Sequence, residues 1–246
     1  MTRRGLGAWL AGLWLAGPGA PAAAADLPAL VVAVDTSTEM PLAEIRGDQL
    51  LRGLHRDLGE ALARQLGRRA RFLVLPRKRI APALETGEAE LLCFYRPAWL
   101  PGDFDWSRAF LPNADLLITP RSAAQPQRLD ELAGQAIGTL HGFAYPALER
   151  ALGTGFVRED APHAQANLRK LVLGRTRHAV VNQLFLDYQR RGRDFELPLH
   201  PPLVLEAYQA QCALSRHSSL KAAALERAIA ALLAEGLPER LLARYR

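Results

Sequence analysis

Continuous apolar runs alternate with amphipathic stretches along most of the chain. Leu30-Val31-Val32-Ala33-Val34, ending at Asp35, shows no polar alternation and predicts a strand buried on both faces. Leu54, Leu58, Leu62 and Leu66 recur every four residues, which predicts an amphipathic helix, and Gly67 stands just past its end. Residues 72–75 read as a second buried strand. Ile80, Ala83 and Leu84 mark a short helix closed by Gly87, and Leu91-Leu92-Cys93-Phe94 is a third strand. The order is βαβαβ, which implies a parallel sheet with helices on both faces.

The same order returns later. Residues 135–140 read as a strand and 145–152 as a helix, with Pro146 suited to its first turn. Residues 156–157 are a short strand, 164–173 a helix closed by Gly174, and 178–181 the matching strand. A segment rich in proline and glycine, 97–128, separates the two units and carries one strand at 116–119. After the second unit come a strand at 208–214, an alanine- and leucine-rich helix at about 219–234 and a final short helix. Two extended segments, near Thr119 and Tyr208, then join two α/β lobes, 26–119 plus 208–246 and 120–207. Two crossings make a hinge able to close on a ligand. One continuous doubly wound domain is the alternative.

The first 25 residues break this pattern. Arg3 and Arg4 precede an apolar run of eleven residues, 6–16, followed by Gly17-Pro18-Gly19 and the small residues Ala23-Ala24-Ala25. This is the order of a secretory signal peptide, with cleavage expected after Ala25. The run is shorter than the roughly 20 residues of a membrane span, and no cysteine follows it to suggest a lipoprotein. Export makes the compartment oxidising, so Cys93 and Cys212, the two cysteines of the chain, are either one bridge or two buried thiols. The formal charge of +6 is carried almost wholly by arginine. It slightly favours anionic ligands, but no dense basic run with interleaved aromatics points to nucleic acid. HExxH, GxSxG and Walker-type phosphate loops are absent. His141, His163, His178 and His200 are too scattered for a metal set. No catalytic residue, metal or cofactor is expected, although Asp35 and Glu39 would make a carboxylate pair in a dehydratase-like enzyme.

From about Leu30 onward the chain resembles the amino-acid-type periplasmic solute-binding proteins, solute-binding family three. Val34-Asp35-Thr36-Ser37 with Pro41-Leu42 looks like the family's opening. Gly53-Leu54-His55-Arg56-Asp57-Leu58 looks like the start of its first helix. Ile80-Ala81-Pro82-Ala83-Leu84 with Gly87 and Glu90, then Asp105-Trp106-Ser107, and a closing pattern from Leu232 to Tyr245, follow in the family's order. The resemblance implies a two-lobed, type II Venus-flytrap fold and a periplasmic, monomeric binding protein whose partner is an inner-membrane ABC permease or a sensor. It also places Cys93 and Cys212 in strands of the same lobe.

The family's ligand-binding residues are only partly matched. Its arginine before Asp-Phe-Ser is missing from 100–104, with Arg96 nearby. Its ammonium-binding aspartate corresponds to Gln183, beside Asn182. Its Gly-Thr-Thr loop looks like Gly142-Phe143-Ala144. Strand carboxyl ends, where open α/β sheets bind ligands, carry Asp35 and Thr38, then Arg77 and Arg79, then Tyr95, Arg96 and Trp99. These seven positions, with Phe143 and Gln183, predict a small polar or anionic ligand rather than a free α-amino acid.

Overall fold

The structure is a computed structural model that describes residues 27–192 and 195–245, so the signal peptide expected at 1–25 lies outside the described residues. β1 (Ala29–Asp35), β4 (Arg69–Leu75) and β5 (Leu91–Tyr95) form the parallel core of the first lobe, in the order β4-β1-β5. A small hairpin, β2 (Glu44–Arg46) and β3 (Gln49–Arg52), lies between β1 and the first helix. Its strands are too short and too polar to show a strand period, so the sequence does not reveal it.

Helix α1 (Leu54–Gln65) covers one face of this sheet with Leu54, Leu58 and Leu62, and α6 (Ala222–Ala234) and α7 (Leu237–Tyr245) join it there. Helix α2 (Arg77–Thr86) covers the other face with Ile80, Ala83 and Leu84. The start of α1 is fixed by its neighbours. Leu54 and His55 donate their N–H groups to the carbonyls of Pro41 and Leu42, each at 2.9 Å. Gly53 has φ 120°, and a Cβ there would come within 2.6 Å of the Leu42 carbonyl oxygen, so only glycine fits this approach.

The second lobe holds β8 (Ala136–Leu140), β9 (Val157–Ala161) and β10 (His178–Asn182), parallel to one another, and β7 (Leu111–Ile118), antiparallel to β10. Alternation along β7 sends Leu116 and Ile118 toward α4 (Ala164–Val172) and α5 (Gln183–Arg191), and Leu117 toward α3 (Pro146–Leu152). Helix α5 begins directly at the end of β10, so a helix starts at Gln183 where the sequence shows no break.

The lobes are linked by β11 (Leu203–Leu214), which is twelve residues long rather than the seven its apolar run suggests. Its first part pairs with β7 through Ala210, and its last residues pair with β5 and with β6 (Asp105–Trp106), all antiparallel. The chain between β6 and β7 keeps beside it, with Ser107 and Phe110 donating to the carbonyls of Cys212 and Ala210. The parallel sheet that the βαβαβ pattern implies is therefore mixed, because β7 and β11 run against their neighbours.

β5 carries a bulge. Leu92 pairs with Ala213 and Tyr95 with Gln211, three steps against two. The extra residue puts Cys93 and Phe94 on the α1 face, while Leu92 and Tyr95 face α2. Phe94 pays with a left-handed φ of 61°. Cys93 is disulfide-bonded to Cys212 on the adjacent strand.

One polar knot lies under this lobe. The Glu90 carboxylate accepts from Arg68 at 2.9 Å, from the Ser218 hydroxyl at 2.6 Å and from the Val31 N–H at 3.2 Å. Burial acts to raise the Glu90 pKa, but these bonds outweigh it and hold the pKa below its ordinary value. Its contribution to stability is thus present near neutrality and lost as pH falls through the lowered pKa. Glu90→Ala is expected to cost about 2–3 kcal/mol, since it strands a largely buried Arg68. Urea unfolding measures it, and a loss under about 0.5 kcal/mol would mean that the knot is only decorative.

Candidate functional site

A cavity of about 200 Å³ lies between the lobes where the strand ends face each other. Its first-lobe wall is built from the carboxyl ends of β1, β4 and β5. Asp35 ends β1 and is only 2 % exposed. Ser37 donates to Asp35 Oδ1 through its N–H and its hydroxyl, at 2.9 and 2.8 Å. Tyr95 donates its hydroxyl to Asp35 Oδ2 at 3.0 Å, and Arg77 Nη1 donates to the Tyr95 oxygen at 3.2 Å and lies 3.6 Å from Asp35 Oδ2. Burial is the main force raising the Tyr95 pKa, with the Asp35 charge adding to it, so the phenol stays protonated and works as a donor.

Arg77 opens α2, whose first turn holds three cations and no acid. The positive end of the helix dipole disfavours that arrangement. A local rule broken in a cleft is a sign of function. The Arg77 guanidinium also lies over the Phe143 ring of the other lobe, 4.6 Å from its centroid, so it spans the cleft mouth. A second strap lies beside it. Glu39 accepts from the Gln165 N–H at 2.9 Å and lies 3.1 Å from His163 Nδ1, at the start of α4. Asp35 and Glu39 are therefore held by separate partners.

The middle of the cleft is aromatic. Trp99 meets Tyr95 and Tyr208 edge-on, with centroids 6.4 and 5.0 Å apart, and Phe143 and Tyr145 face them from the second lobe. The Tyr145 hydroxyl accepts from the Leu140 N–H at 2.9 Å, and burial pushes its pKa up to about 12. Asp115, in β7, stands opposite Asn182 on one side and Glu206 on the other. Burial and then the Glu206 charge push its pKa up to about 6, against the pull of Arg96 and Asn182.

Of the nine residues named from the sequence, six line this cavity together: Asp35, Thr38, Arg77, Tyr95, Trp99 and Phe143. Arg79 lies outside it, on an exposed surface 3.8 Å from Glu88. Arg96 pairs with Glu206 at 2.7 Å and stacks over Trp99 and Tyr208, beside a second cavity of about 340 Å³ behind the indole. Gln183 starts α5 outside the lining, and its neighbour Asn182 faces the cavity, donating to the Tyr208 hydroxyl at 3.0 Å. Asp115, His55, Phe94 and Tyr208 also line the cavity without being marked as site residues by the sequence. A charge inside the apolar run Ala114-Asp115-Leu116 was a usable signal for the first. Nothing local marks the others.

Two α/β lobes joined by a shared strand, with a cavity at the crossing, define the Venus-flytrap fold of type II periplasmic binding proteins. Solved structures bear this out. An ancestral arginine-binding protein bound to arginine is 15 % identical, with a TM-score of 0.72 over 89 % of this chain and 99 % of that one. The periplasmic VFT2 domain of BvgS from Bordetella pertussis is 19 % identical, with a TM-score of 0.73 over 90 % of this chain and 95 % of that one. An ancestral amino acid-binding protein, described as a precursor of cyclohexadienyl dehydratase, is 16 % identical, with a TM-score of 0.70 over 88 % of this chain and 94 % of that one. No protein-family model and no curated protein matches the sequence.

Proposed function

We propose that this protein is an exported, periplasmic solute-binding protein, a divergent member of solute-binding family three, that closes lobes 26–119 plus 208–246 and 120–207 on a small acid without transforming it. The closed form is then read by an inner-membrane partner, an ABC permease or a sensor. The observation that carries the reading is Arg77. It faces an aromatic cavity with one of its amino groups spent on Tyr95 and Asp35, and the rest of its donor fork suits a carboxylate. The flat walls of Tyr95, Trp99, Phe143 and Tyr208 suit a planar body.

Calorimetry and thermal shift on the mature protein test this with benzoate and its hydroxy derivatives as probes. A bound ligand raises the melting temperature. Arg77→Ala is expected to weaken binding by about tenfold or more, the worth of a charge-assisted hydrogen bond. Absence of binding by the wild-type protein overturns the reading.

A second reading has one specific observation behind it. Asp115 sits directly across the ladder from Asn182, next to the position where the family keeps its ammonium-binding carboxylate. An α-amino acid held between Arg77 and Asp115 would then bind, and Asp115→Asn would abolish that binding while sparing benzoate.

A further inference from the structure

We infer that His55 is a ligand-contacting residue of the cleft, its unpaired imidazole kept for a hydrogen-bonding group of the bound molecule. The inference rests on the solute-binding reading above and names a specificity element within it. His55 is 3 % exposed, and among the described residues its buried Nδ1 has no hydrogen-bond partner. Burying an unsatisfied polar group is costly, and an apolar side chain of similar shape would avoid the cost. The other large buried side chains in the first turns of α1, Leu54 and Leu58, are leucines. His55 is nevertheless one of the residues that line the cavity.

Its surroundings are held firmly. Gly53 and the bonds from Leu54 and His55 to the Pro41 and Leu42 carbonyls fix the helix start. On the other side the ring of Phe94 lies against the imidazole, with centroids 4.8 Å apart and planes tilted by 57°. Phe94 reaches that place only through the bulge in β5 and its left-handed backbone. A non-glycine residue in that region is costly, and such costs collect where binding surfaces are assembled. Two separate expenses, an orphaned imidazole and a strained phenylalanine, thus meet at one spot in the cavity wall. Burial holds the imidazole neutral, with its pKa lowered to about 4 although the charge of Asp35 pulls the other way. A neutral ring can donate from one nitrogen and accept at the other, which suits a hydroxyl.

The test compares benzoate with 2-, 3- and 4-hydroxybenzoate on the wild-type protein and on His55→Phe, His55→Leu and His55→Gln. The wild-type protein is expected to bind the best-placed hydroxy isomer about tenfold more tightly than benzoate. His55→Phe and His55→Leu lose that preference, and His55→Gln retains part of it. Without ligand, the Phe or Leu variant melts about 2–4 °C above the wild type. A preference that survives in both apolar variants, or no preference in the wild type, overturns the inference and leaves the acid-binding reading standing. Ligand-free apolar variants that both melt below the wild type also overturn it, because His55 is then a structural residue. Failure of the wild type to bind benzoate or any isomer removes the acid-binding reading and this inference with it.

Discussion

Replacing Cys93 and Cys212 together by serine is expected to lower the unfolding free energy by about 4–5 kcal/mol. The bridge spans 119 positions of sequence. Closing a loop of that length in the unfolded chain removes entropy worth about that much at 25 °C. Denatured-state structure would trim the figure, but it leaves the sign unchanged. The measurement is urea unfolding of oxidised protein, of protein held in reductant and of the double serine variant. The last two should agree, with midpoints well below the first. Equal midpoints for all three would mean that the bridge contributes nothing beyond the antiparallel pairing of β5 with β11.

Two buried groups in the cleft are expected to give opposite dependences of stability on pH. His55 has a folded pKa lowered to about 4 from 6.5. Between those values the unfolded chain takes up a proton that the folded one refuses. Stability from this group is therefore full above pH 6.5 and falls by about 3 kcal/mol as pH drops to 4. Asp115 has a folded pKa raised to about 6 from 3.8. There the folded chain takes the proton first, so stability rises as pH falls from about 6 toward 4. Allowing for its partial contact with water, the gain is about 2 kcal/mol. The two nearly offset in the wild type. His55→Leu unmasks the rise and Asp115→Asn unmasks the fall, in unfolding curves recorded at pH 7, 5.5 and 4. Parallel curves for wild type and both variants would refute both assignments.

These groups also mark how far the sequence could be read. The leucines of α1 and the unbroken runs of β1 and β5 declare their elements because burial on a helix stripe or on both strand faces leaves a periodic trace. The hairpin at 44–52 leaves none, being short and half exposed. β11 was legible only at its apolar end, since its first residues alternate less clearly along the crossing. In the site, residues at strand ends were found because such ends converge: Asp35, Arg77 and Tyr95 form one hydrogen-bonded chain. The engagement of Arg96 with Glu206 depends on the register between distant strands, which no local pattern carries. The orientation of Phe94 depends on one extra residue in β5, and a bulge has no signature in a run of apolar letters.

β11 and the stretch that runs from β6 into β7 lie side by side where they pass between the lobes. Mechanically this pair is a leaf spring. It flexes out of its own plane at little cost, but sliding one leaf along the other would tear the rungs between them. The Cys93–Cys212 bond rivets one end of the spring to the first lobe. Under the proposed function, such a pair would reduce relative motion of the two lobes to a single soft coordinate, with its direction built into the chain and its extent set by the ligand.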